Sequence, residues 1–325
     1  MPTATPIRRL FAGLLAVAML LTIAIVPVAA HGNDKHDKDD RGSDHGHRRT
    51  PTRIDLPNGF QPEGIESRGK WLFAGSLVDG AIWRGSAKSG EGKILVEGQD
   101  GLSAAGLHID RRGRLWVAGA TSQSIRVYSS RSGDLLATYA FPTAGFINDL
   151  DIVDNTVYAT DSATQQLLVI PLGKWGKLPD PGVATTMPLT GDIVYGDGFD
   201  ANGIARSRDW LITVQSNTGL LFRVDPETGV ATTIDTGGYA LTNGDGIEIV
   251  GRTIYVVRNQ DNLVAVLNLS KDRLSAELLR ELTSDDLDVP TTVTKSSRGL
   301  FVVNARFGTD PTADTEYWIT RLGKR

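Results

Sequence analysis

A short strand recurs six times along this chain, and few folds accommodate such a pattern. Its clearest copy is Asp200-Ala201-Asn202-Gly203-Ile204-Ala205. The others are Gln61-Pro62-Glu63-Gly64-Ile65, Ala104-Ala105-Gly106-Leu107, Ile147-Asn148-Asp149-Leu150, Gly244-Asp245-Gly246-Ile247 and Pro290-Thr291-Thr292-Val293. Aligned on the aliphatic residue, the slot two positions earlier holds Glu63, Ala105, Asn148, Asn202, Asp245 and Thr291. These fall at intervals of 42, 43, 54, 43 and 46 residues. A period of that length, with several short strands in each repeat, indicates a β-propeller. Five of the six slots carry oxygen-bearing side chains, so the repeat that sets the fold also sets the chemistry.

A second apolar strand follows each slot strand after a short polar turn, as in Trp71-Leu72-Phe73, Leu115-Trp116-Val117 and Ile254-Tyr255-Val256. Short aromatic and β-branched runs bounded by Gly, Arg or Asn turns read as strands. Third strands follow at Ser124-Ile125-Arg126-Val127-Tyr128 and Leu263-Val264-Ala265-Val266-Leu267, and a fourth after the turn Asp225-Pro226-Glu227-Thr228-Gly229. Four antiparallel strands make one blade, so the sequence predicts an all-β, six-bladed propeller over residues 51–325. The sixth repeat runs out of chain after its third strand, Tyr317-Trp318-Ile319-Thr320. Its missing strand is expected from Arg53-Ile54-Asp55-Leu56, so that the N- and C-terminal strands pair, close the ring and remove its free edges. Extra length between the third and fourth copies, around Pro171 to Pro188, reads as an extended hairpin or loop. A sandwich with irregular loops is the competing architecture; six regular copies argue against it.

The N-terminus stands apart. Arg8 and Arg9 precede an apolar run from Leu10 to Val26, and Val28-Ala29-Ala30 offers small residues for cleavage. Residues 1–30 read as a signal peptide, with an uncleaved anchor as the alternative. Arg8-Arg9-Leu10-Phe11 also resembles a twin-arginine export signal, so Sec and twin-arginine routes both stay open. Residues 31–50 hold four of the five histidines among Asp, Lys, Arg and Gly. That composition cannot bury a core and reads as a disordered spacer, with metal collection as a second possibility. The expected product is a secreted monomer with no stable membrane span after cleavage. A formal net charge of −4 argues against nucleic acid as a partner, and the absence of cysteine excludes disulfides and thiolate chemistry.

In a propeller the first strand of every blade runs beside the central axis in the same sense. Equivalent slots then share one height, and Glu63, Asn148, Asn202 and Asp245 converge although far apart in sequence. Two carboxylates and two amides are hard oxygen donors suited to Ca²⁺, with Mg²⁺ or Mn²⁺ less favoured, and zinc would prefer His or Cys. Without a cation, Glu63 and Asp245 would repel each other and one would hold a proton. Asn-Gly and Asp-Gly are also common turn pairs, so Asn202-Gly203 and Asp245-Gly246 have a plainer reading as turns.

Residues just after the second strands should rim this mouth: Asp161, Gln215, Asn217, Arg258, Asn259, Asn304 and Arg306. The loops entering the first strands add Phe146, Tyr195, Asp197 and Tyr239. A polar mouth with a few aromatics suits a small oxygenated ligand. Asp161, Gln215, Arg258, Asn304, Arg306 and Tyr195 are the substrate-binding candidates. No Gly-x-Ser-x-Gly elbow or Ser-His-Asp set is present. His108, the only histidine after residue 50, reads as a structural residue.

At the four slots the chain resembles the senescence-marker-protein/gluconolactonase/luciferin-regenerating-enzyme-like family and, more distantly, diisopropyl fluorophosphatase and the paraoxonases. The resemblance implies a six-bladed propeller with a catalytic divalent cation in the channel. The family's blade-one glutamate is similar to Glu63, its metal-facing asparagines to Asn148 and Asn202, and its catalytic aspartate to Asp245. The paraoxonases' histidine pair has no counterpart. The implied function is a secreted Ca²⁺-dependent hydrolase of lactones or related esters, with Asp245 as base or nucleophile; were Asp245 only a ligand, the base would be sought elsewhere on the rim, at Asp149 or Asp161. The alternative is a non-enzymatic propeller that binds a ligand or protein around a structural ion.

Overall fold

The computed structural model describes residues 50–323. The signal segment, residues 1–30, and all but the last residue of the 31–50 spacer lie outside it. The described chain is strand and turn, with two 3₁₀ turns at Lys174–Gly176 and Pro181–Val183. No helix among the described residues is long and apolar enough to cross a membrane.

Six sheets form a propeller, each wound outward from an inner strand. The inner strands are Pro62–Arg68, Leu107–Ile109, Ile147–Val153, Ala201–Ser207, Gly244–Val250 and Pro290–Ser296. Blade six is completed by the other end of the chain. Arg53, Ile54 and Asp55 pair antiparallel with Thr320, Ile319 and Trp318, and Leu56 N–H donates to Tyr317 O at 2.9 Å. The predicted closure and its partners are those observed.

Blade faces are apolar on both sides because each packs against two neighbours. Among the described residues the core accordingly divides into six wedges, one between each adjacent pair of blades. Ile54, Phe301 and Ile319 meet Ile65, Leu72 and Trp83 across the closing seam between blades six and one. The extra length in repeat three resolves into the two 3₁₀ turns and the outer strand Thr185–Pro188. A further two-residue strand, Thr190–Gly191, then runs parallel to the outer strand of blade four.

The slots sit at a recurring irregularity. In five blades the inner strand carries one extra residue against its partner, between Pro62 and Ile65, Ile147 and Leu150, Ala201 and Ile204, Gly244 and Ile247, and Pro290 and Val293. Such a bulge re-aims the side chains it contains. The slot residue is the first inside the bulge, which explains why glycine so often follows it. A Cβ on Gly203 would lie 2.3 Å from Asp245 O, and one on Gly64 2.2 Å from Ala105 O. Asn202-Gly203 and Asp245-Gly246 are therefore strand bulges rather than turns, and their glycines admit the neighbouring inner strand.

Candidate functional site

The four slot side chains are all buried in the wall of the channel, with exposures of 3–6%. Each of three is held by the residue fourteen positions on, at the start of the loop after the second strand. Asn148 Nδ2 donates to Ser162 Oγ at 2.9 Å, Asn202 Nδ2 to Ser216 Oγ at 3.0 Å, and Asn259 Nδ2 to Asp245 Oδ2 at 2.9 Å. The serines fix which way the amides point. Ser162 gives its single proton to Ala201 O and Ser216 gives its proton to Gly244 O. Each serine can then only accept from its asparagine, which turns the amide oxygen away from the serine.

The consequence is a set of buried acceptors without donors. Asn202 Oδ1 and Glu63 Oε2 are both fully buried and neither has a hydrogen-bond partner. An unsatisfied buried acceptor costs about 1–3 kcal/mol, so the two call for a donor or a cation to satisfy them. The carboxylates point the same way. Burial, then repulsion from Asp245 and Asp149, pushes Glu63 well above the usual carboxylate range. Burial also raises Asp245, against hydrogen bonds from Asn259 and Asn202 that lower it. As they stand, these groups prefer a proton or a cation to open charge. Among the described residues no set of three or more His, Cys, Asp and Glu side chains is arranged to hold a metal. The donors available here are two carboxylates and two amides, hard oxygens that fit Ca²⁺ rather than zinc, with Glu63 Oε2 and Asn202 Oδ1 still without a partner. Ala105 and Thr291 contribute no free oxygen; Thr291 Oγ1 donates to Glu63 O at 2.6 Å and steadies that strand.

The polar atoms of the six substrate-binding candidates are engaged within the protein. Asp161 is fully buried and accepts from the N–H groups of Gly145 and Phe146, both at 3.0 Å. Gln215 donates to Val194 O at 2.8 Å and also to Asp200, while Asn304 donates to Thr320 Oγ1 at 2.9 Å and accepts from Asp288 N–H. Tyr195 O–H donates to Asp161 O at 2.8 Å. Arg258 is tied to Thr242 O, Tyr239 and Asp261, and Arg306 to Asp288 and Glu316 O. A substrate would compete with these contacts.

Three residues beyond the slots, the same inner strands carry a second ring that the sequence reading passed over. Its members are Glu66, His108, Asp151, Ala205, Glu248 and Thr294. They line a cavity of about 310 Å³ walled by all six inner strands, with Asp149 and Lys295. His108, read from sequence as structural, faces this cavity, its Nδ1 3.7 Å from Glu66 Oε2 and 3.6 Å from Asp151 Oδ1. Burial pushes Glu66 up to about 7 against the lowering effect of His108, and burial pushes Glu248 up to about 7 against Lys295. Asp149, between the two rings, is likewise raised to about 7 by burial. The signal was present in the sequence as the same period read at a different offset.

No known protein family matches the chain, and no curated protein sequence matches it. Solved structures do. The major allergen Mala s 1 of Malassezia sympodialis superposes with a TM-score of 0.67 at 14% identity, over 84% of this chain and 96% of that one. Virginiamycin B lyase from Staphylococcus aureus, solved in an inactive form with quinupristin, gives 0.56 at 14%, over 82% and 83%. A chain of the nidogen/laminin complex gives 0.56 at 15%, over 72% and 84%. At these identities the likeness is one of fold.

Proposed function

We propose that the protein is a divalent-cation-dependent hydrolase of lactones or related esters, with Ca²⁺ as the favoured ion. The observation that carries this reading is the pair of buried, partnerless oxygens, Glu63 Oε2 and Asn202 Oδ1, beside the raised carboxyl of Asp245. Glu63, Asn148, Asn202 and Asp245 would hold the ion. When bound, the ion supplies Lewis-acid polarisation of an ester carbonyl. The serines hold Asn148 and Asn202 with their oxygens turned away from Ser162 and Ser216. Asn259 fixes Asp245 by its Oδ2, so the carboxylate meets water or substrate in one orientation. Asp245 would take the proton of the attacking water and return it to the leaving ring oxygen as the acyl C–O bond breaks, giving a hydroxy acid; attacking the carbonyl itself, it would open the ring to an acyl-enzyme anhydride that water then hydrolyses to the same acid. The resemblance at the four slots to the gluconolactonase-like family supports the same chemistry.

A second reading, a binding propeller with a structural ion, is favoured by the self-satisfied rim around Asp161, Gln215 and Asn304. One propeller of similar fold is named as a lyase and another comes from a nidogen/laminin complex, so the architecture serves either role. Lactone turnover measured with chelator, and again after Ca²⁺ is restored, separates the two. Turnover that is lost and regained supports the hydrolase. No turnover in any ion, with the ion still bound, supports the binding protein.

A further inference from the structure

The far face of the propeller, where the inner strands end, holds a cluster that neither ring of the channel uses. Between blades four and five, a cavity of about 350 Å³ is lined by Arg206, Arg208, Arg252 and Arg273, with Ser207 and Ile249, and by no carboxylate. Arg208 and Arg252 are exposed and lie in the turns that follow the two inner strands. Arg273 arrives from the outer turn of blade five, between the strands Leu263–Leu269 and Ala276–Thr283. Its Nε donates to Ser207 Oγ at 2.7 Å, and its Nη1 to Ser270 O at 2.8 Å and Lys271 O at 2.7 Å.

Opposing charge is missing. Of the four, only Arg206 pairs with a carboxylate among the described residues, Asp154 at 3.5 Å. Arg273 is 2% exposed, yet its guanidinium meets only neutral acceptors. Asp272 beside it turns its carboxylate to Ser270 Oγ and Leu274 N–H. Burial, then repulsion from Arg208 and Arg252, pulls Arg273 below the usual guanidinium range, against Asp272. A buried cation without a counter-charge is destabilising, and like charges gathered at one cavity add to it. The backbone is strained at the same place. Arg208 and Arg273 have φ of 59° and 64°, in the left-handed region. In the matching two-residue turns of blades one and five that position is glycine, Gly69 and Gly251. Arginine at positions that favour glycine points to a role for its side chain.

We propose that this cavity is a binding site for a phosphate dianion, taken up as the free ion or as the monoester of a small molecule. It is separate from the slots and stands whether or not the protein is a hydrolase. Guanidinium forks match phosphate oxygens through paired N–H···O bonds. A phosphate monoester brings a charge of about −1.5 to −2 at pH 7 and three acceptor oxygens, enough to answer Arg208, Arg252 and Arg273 together. A carboxylate brings a single charge and leaves the cluster unbalanced. Arg206 acts as a strut, its Nε donating to Arg208 O at 2.7 Å.

The test is calorimetric titration in metal-free buffer at physiological ionic strength with inorganic phosphate, glycerol 3-phosphate and acetate. One site per chain should take phosphate in either form about tenfold or more tighter than acetate. The double variant Arg208→Ala, Arg252→Ala changes exposed positions and should melt like the wild type, with phosphate affinity lower by about tenfold or more. Arg273→Lys keeps the charge but loses the fork, and should also weaken binding. Should that variant fail to fold, the double variant decides. Whichever phosphate binds tighter identifies the free ion or the ester as the form the site takes. No saturable binding of either phosphate, acetate bound as tightly as phosphate, or phosphate affinity unchanged in the double variant overturns the proposal.

Discussion

The two rings of the channel sit on the same six strands three residues apart, yet they solve the problem of buried charge differently. The slot ring mixes two carboxylates with two amides whose nitrogens are tied to neighbouring serines, and it leaves Glu63 Oε2 and Asn202 Oδ1 buried without a partner. The second ring has no amide. It sets Glu66 and Asp151 within 4 Å of His108 Nδ1, with Glu248 beside Lys295. A ring of fixed acceptors suits a cation that stays. A ring whose Glu66 and Glu248 are raised to about 7 by burial suits protons that come and go.

Both rings depend on ring closure, so the largest effect should come from removing it. Ile54 and Leu56 are buried in the closing seam, and losing each costs about 1.5–3 kcal/mol. A chain starting at Pro51 should melt like the full-length protein. One starting at Pro57 should melt far lower or fail to fold. Equal melting temperatures would mean that both rings stand without the seam.

Next in size is Asp245→Asn, which keeps the shape of the slot ring and removes its base. Turnover of any productive lactone should fall about 10²–10⁴-fold with circular dichroism unchanged. Full activity with the ion in place would reduce Asp245 to a ligand and move the search for the base to Asp149. A smaller loss is expected at the serines that orient the amides. Ser162→Ala and Ser216→Ala free the asparagines to turn, and calorimetry should show cation affinity weakened by about 10–100-fold. Unchanged affinity would show that amide direction is not what the ring uses.

The smallest effect distinguishes the second ring by pH. Glu66 and Glu248 are held at about 7 by burial, above their unfolded range of about 4.3. Between those values the folded state binds more protons than the unfolded one, so this contribution is full below about 4.3 and is lost as pH rises through about 7. The metal-free protein should therefore melt a few degrees higher at pH 5.5 than at pH 8. Glu66→Gln should flatten that slope by raising stability at pH 8. A slope unchanged in Glu66→Gln would place the titrating groups elsewhere.

The fold was legible because a propeller writes its period into the chain, and the closing strand could be named since blade six visibly ran short by one. The slots were legible because bulges place equivalent residues at equivalent heights. The rim was less so. Loop position placed Asp161 and Gln215 at the mouth, but only the folded structure reveals that backbone N–H groups or neighbouring side chains already claim them. His108 is obscure in the sequence for a different reason. It stands as a lone histidine in a repeat lacking a ligand, whereas its meaning lies in Glu66, Asp151 and Glu248 at the same offset in other repeats.

The measurement that bears most directly on the slot ring is calorimetric titration of chelator-treated protein with Ca²⁺, alongside Glu63→Gln and Asn202→Ala. We expect one ion per chain in the wild type, with binding that raises the melting temperature and weakens sharply in both variants. No binding of Ca²⁺, Mg²⁺ or Mn²⁺, or binding unaffected by either substitution, would contradict the assignment of the unpaired oxygens to a cation.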